Sequence, residues 1–119
     1  MSAMSAVTKI LQLIEDDKMP RHVREFLRTS LRRHHYVAWY DAEKIADALR
    51  ERYQADPDGT MENSAKDIQQ LIDDGSQPRY IRDFLRTSLG RHPYEAWYDA
   101  ESMAGMLHER YREKQEDRG

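Results

Sequence analysis

The chain has 119 residues, 39% of them hydrophobic and 34% charged, with a net charge of −3; that is one ordinary domain by length, or two very small ones. A mean hydropathy of −0.98 describes a polar surface over small cores, and the negative balance opposes affinity of the whole chain for nucleic acid. Cysteine is absent, which excludes disulfides, thiol catalysis and thiolate zinc sites. With no apolar run long enough for a bilayer and nothing resembling a secretory leader, a cytoplasmic protein without membrane contact is expected.

Taken in order, Ser2 or Ser5 is placed to cap a first helix, its oxygen accepting from a free first-turn N–H. Val7, Ile10, Leu13 and Ile14 follow as one stripe of 3.6-residue period, and the helix is expected to end near Asp17. Pro20 suits the first position of a second helix, where its missing N–H costs nothing. That helix should bury Val23, Phe26, Leu27 and Leu31, with the small Ser30 on the same face. Its outer face carries Arg21, Arg24, Arg28 and Arg32, continued by Arg33 and His34. Like charges at this spacing repel by roughly a few tenths of a kcal/mol each, so an acid or an anion should face them. After a short turn a third helix starts near His35–Tyr36. Its stripe of Trp39, Ala42, Ala46, Leu49 and Tyr53 steps by heptad offsets.

The pattern then recurs. Residues 26–43 read FLRTSLRRHHYVAWYDAE and residues 84–101 read FLRTSLGRHPYEAWYDAE. Self-similarity at a fixed period is the mark of a duplicated unit. The join, Gln54–Asn63, contains Asp-Pro-Asp-Gly, a turn in which proline presets φ and Gly59 supplies positive φ. Asn63 or Ser64 should cap the fourth helix, with Ala65, Ile68, Leu71 and Ile72 as its stripe and Gly75 as a left-handed stop. Pro78 opens the fifth helix, which presents Arg79, Arg82 and Arg86, with Arg91 and His92 in the turn that follows. Pro93 opens the sixth, and the polar segment after Tyr111 is expected to fray. The expected fold is therefore all-α: six helices from an internal duplication of a ~58-residue three-helix unit. Residues 1–57 and 58–119 would be the two repeats, packed on each other through their third helices, as one compact domain if the contact is large. Phe26, Trp39 and Tyr40, with Phe84, Trp97 and Tyr98, are the expected structural anchors.

Groups capable of chemistry are sparse. His34 and His35 are neighbours that point apart, while His22 and His108 become Tyr80 and Arg50 at the matching positions. Ser30 stands four residues before His34 but belongs to the buried stripe, and no glycine-rich loop follows a strand. No catalytic residue, metal, cofactor or small-molecule substrate is expected, and the chain reads as a non-enzyme. The arginine stripe, with His34 and His92, has two readings: internal pairing to carboxylates such as Asp41, Glu43 and Glu51, or an external anionic or acidic partner. The third helices differ in one turn, where Lys44, Asp47 and Ala48 become Ser102, Gly105 and Met106. A mid-helix glycine is disfavoured by about 1 kcal/mol relative to alanine, usually offset by close backbone approach. Ser102, Met103, Gly105 and Met106 are thus a candidate interface, to the other unit or to a partner. The leading expectation is a protein–protein interaction regulator, inhibitor or adaptor, with a homodimer compatible. The alternative is a nucleic-acid-binding regulator contacting the phosphate backbone through the second helix of each repeat. A helix-turn-helix reading is opposed by the acidic third helix, with Asp41, Glu43, Asp47 and Glu51 where base-reading groups would lie.

Overall fold

The computed structural model describes residues 4–117, apart from the side chains of residues 62, 63 and 117. These residues form six α-helices and no strand: α1 (Ala6–Glu15), α2 (Arg21–Leu31), α3 (His35–Ala55), α4 (Lys66–Asp73), α5 (Arg79–Leu89) and α6 (Pro93–Asp117). A 3₁₀ turn, Glu62–Ala65, precedes α4. No helix among the described residues is long and apolar enough to cross a membrane.

The caps explain the boundaries. Ser5 accepts from the Thr8 N–H at 3.2 Å and so caps α1, whereas Ser2 lies outside the described residues. Helix α1 stops at Glu15, two residues before the expected Asp17. The Asp16 carboxylate then accepts from the Lys18 N–H, and at the matching place Asp74 accepts from the Ser76 N–H, so an aspartate turn closes each first helix. The expected glycine stop at Gly75 is therefore not used; the positive φ among the described residues belongs to Gly59, at 73°. Pro20 and Pro78 sit at the N-cap, one place before the expected first position, and their carbonyls accept from the turn beyond. Among the described residues no side chain caps helix α4: Ser64 donates instead to Asp56, and the side chain of Asn63 lies outside them. Asp56 also takes the Thr60 and Met61 N–H groups at 3.0 and 2.9 Å, which fixes the join between α3 and α4.

Two layers follow from the packing. In the first, α3 and α6 lie side by side and antiparallel: Tyr53, near the end of α3, meets Tyr94 and Trp97 at the start of α6, while Trp39 meets His108 and Tyr111 near its far end. Alanines 42, 46, 100 and 104 are all buried, and their small size lets the two helices approach closely. In the second layer α2 crosses α5 antiparallel, with Phe26 on Tyr80 and His22 on Phe84. Helix α1 packs on α2 and reaches across to α6, and α4 packs on α5 and reaches across to α3. One buried cluster runs through all of them, from Ile10 to Leu107.

Among the described residues the polar segment after Tyr111 stays helical. Helix α6 continues through residue 117, and the Glu113 carboxylate accepts from the Ala6 N–H with both oxygens at 3.1 Å. A 25-residue α6 spans ~38 Å, which accounts for the elongated 49 × 31 × 22 Å shape.

Candidate functional site

The arginine stripe is mostly spent within the molecule. Arg21 pairs with Glu25 at 2.8 Å, Arg79 and Arg86 both pair with Asp83, and Arg82 donates to the Ile72 carbonyl at the end of α4. Arg33 lies 3.8 Å from Asp41 and over the Tyr80 ring, and Arg91 faces Glu95 and Asp99. Arg24 is half-buried, its Nε without a hydrogen bond. Arg28 and Arg32 are exposed and carry no ion pair among the described residues. The exposed pairs contribute little, on the order of 0–1 kcal/mol each. The two turn histidines are helix caps: His34 Nδ1 accepts from the Tyr36 N–H at 3.1 Å and His92 Nδ1 from the Tyr94 N–H at 3.2 Å. The stripe is therefore not brought together as one basic surface.

Two arginines outside that stripe matter more. Arg52 of α3 and Arg110 of α6 are each 8% exposed, and each closes the end of a helix in the opposite half of the chain. Arg52 donates to the Ser88, Leu89 and Arg91 carbonyls, and Arg110 to those of Ser30, Leu31 and Arg33. The last carbonyls of a helix lack intrahelical donors and form the negative end of its dipole, so a buried guanidinium fits there. Burial lowers the pKa of both arginines, and for Arg52 the Asp56 carboxylate opposes that shift. The sequence signal was available: Arg52 and Arg110 occupy matching positions inside an otherwise apolar stripe.

Where α2 and α5 cross, two matching corners differ. At one, the Tyr80 hydroxyl donates to the buried Asp41 carboxylate at 2.6 Å, with Arg33 beside it. Burial, reinforced by that hydrogen bond and charge, pushes the Tyr80 hydroxyl well above its ordinary value. At the other, His22 replaces tyrosine, and its buried Nε2 has no hydrogen bond. Burial and the neighbouring Arg91 lower His22 from 6.5 to about 4, against the opposing pull of Glu25. Asp99 is raised, by burial and then by Glu95, despite Arg91.

Among the described residues no other helix covers the outer face of α3 and α6. Tyr36, Tyr40, Tyr94 and Tyr98 stand on it at 46, 55, 45 and 58% exposure. Tyr40 and Tyr98 are thus not the anchors expected from sequence, whereas Phe26 and Phe84 are buried, and Trp39 and Trp97 pack half-buried at the edge of the core. Each tryptophan donates its indole N–H to a glutamate one turn on, Trp39 to Glu43 and Trp97 to Glu101. The expected interface residues divide. Met103 is buried in the core, Met106 packs half-buried against it, and Ser102 is exposed with its hydroxyl on the Tyr98 carbonyl. No backbone approaches Gly105: a Cβ there would meet nothing within 4 Å. Instead Gly105 opens a groove of about 270 Å³, lined with Trp39, Glu43, Glu101, Ala104 and His108.

What this face offers is rings, carboxylates and an open groove, an arrangement suited to gripping a partner surface. No protein-family model, no curated protein and no solved structure matches the chain.

Proposed function

We propose that the chain is a non-enzymatic, cytoplasmic binding protein that captures another protein on the outer face of α3 and α6, acting as a regulator, inhibitor or adaptor. The observation that carries this is the set of four tyrosines, 45–58% exposed, on a face that, among the described residues, no other helix covers. Large aromatic side chains bury much area with few rotatable bonds, so they supply binding energy at small entropic loss. We read the chain as a duplicated three-helix unit whose halves each contribute one end of the face; a homodimer would use the same surface. The internal pairing of Arg21, Arg33, Arg79, Arg86 and Arg91 weighs against a phosphate-binding stripe.

The experiment is affinity capture from the native host, comparing wild type with Tyr40→Ala/Tyr98→Ala at matched circular dichroism. Loss of a specific protein in the double variant is expected. Capture that is equal in both would move the site elsewhere. Binding to a random DNA duplex that falls steeply with salt and with Arg28→Ala/Arg32→Ala would favour nucleic acid instead.

A further inference from the structure

We infer that the α3–α6 groove receives an arginine side chain of the partner, its guanidinium held by Glu43 and Glu101 against the aromatic wall. This rests on the protein-binding reading above and names the chemistry of the partner.

Glu43 and Glu101 line the groove from its two sides, and neither has a cationic partner among the described residues. Each accepts an indole N–H, which holds the carboxylate in place while leaving its charge unneutralised. In the groove lining, Gly105 stands inside a helix although no internal contact requires it. The matching position, Asp47, carries a side chain already paired with Arg50 at 3.2 Å. On the matching side an arginine of the chain itself, Arg50, already stands beside the carboxylate, whereas the Gly105 side has none among the described residues. The face also holds a cation over one of its own rings: the Lys44 Nζ lies 5.7 Å from the Tyr40 centroid. Two carboxylates beside an aromatic wall match a planar guanidinium better than a compact ammonium. The guanidinium can fork between oxygens and stack on rings.

The test is fluorescence anisotropy of labelled oligoarginine, oligolysine and oligoglutamate peptides against the full chain. Oligoarginine should bind tightest and oligoglutamate not at all. Gly105→Leu fills the groove without changing charge and should weaken oligoarginine by about tenfold or more, as should Glu43→Gln/Glu101→Gln. Glu15→Gln/Asp17→Asn removes two acids elsewhere and should change affinity by less than about twofold. Equal binding by Gly105→Leu, or an equal loss in the Glu15/Asp17 control, would show diffuse attraction and overturn the inference. So would no oligoarginine binding at all. If capture from the host still depended on Tyr40 and Tyr98, protein binding would stand while the guanidinium fell.

Discussion

The two corners where α2 meets α5 are built from matching positions and reach different outcomes. At Asp41 the ring of Tyr80 is long enough to carry a hydroxyl to a buried carboxylate, 2.6 Å away. At Asp99 the shorter His22 stacks on Phe84 in the same manner, at 4.9 Å between centroids, but its buried Nε2 finds no hydrogen bond. Stacking is therefore preserved while polar satisfaction is not. A buried group with a partner contributes modestly, and one without a partner is costly. The second corner is the weaker of the two.

Substitutions that exchange or delete features between the halves sharpen this contrast. The largest effect is expected at the features that are alike. Arg52→Met or Arg110→Met leaves buried helix-end carbonyls without their charged donor and should lower stability by about 3 kcal/mol in either half, read by urea denaturation. A large inequality between the two would show that the halves do not brace each other equally. Next comes Tyr80→Phe, which strips the hydroxyl from Asp41 and should cost about 1.5–2 kcal/mol. His22→Phe should cost nothing or stabilise by a few tenths, because the group it removes has no partner. A loss at His22 matching that at Tyr80 would erase the distinction. Gly105→Ala should stabilise by just under about 1 kcal/mol, since the new methyl meets no neighbour and alanine favours the helix.

The last expected signal is in pH. His22 is depressed to about 4 in the folded chain against an ordinary 6.5, so the unfolded chain takes up the proton first. Its contribution is fully present above pH 6.5 and is lost as pH falls through the window down to about 4. Asp99, raised by burial, acts in the opposite sense at lower pH, because the folded chain then binds the proton more readily. Denaturation midpoints between pH 7 and pH 5 should therefore slope less in His22→Phe than in wild type. An unchanged slope would mean that His22 is not the titrating group.

Much of the scaffold could be read from the residues, because apolar spacing and proline placement speak to each helix separately. Pro93, Ser5 and Gly59 each act locally, and each was found where its chemistry pointed. Harder to read were groups whose partners lie far along the chain. Arg52 and Arg110 stand out within an apolar stripe, but the carbonyls they serve come into view only with the opposite half in place, and Glu113 looks like part of a fraying end until Ala6 meets it. The exposed tyrosines were misread for a related reason. A ring at helical spacing signals a face, and periodicity alone does not say whether that face looks inward. At Gly105 the rarity of a mid-helix glycine was legible, but the expected neighbour was absent and the space proved open.

The crossed arginines also bear on the order in which the polypeptide matures. During synthesis the guanidinium that closes the last turn of α2 emerges 80 residues after the Ser30 carbonyl it serves. Helix α2 should therefore stay loosely organised until Arg110 has emerged, and the six helices should then lock in one cooperative step. A nascent chain halted before Arg110 should leave the amides of α2 open to hydrogen exchange; strong protection there would show that the early half matures unaided.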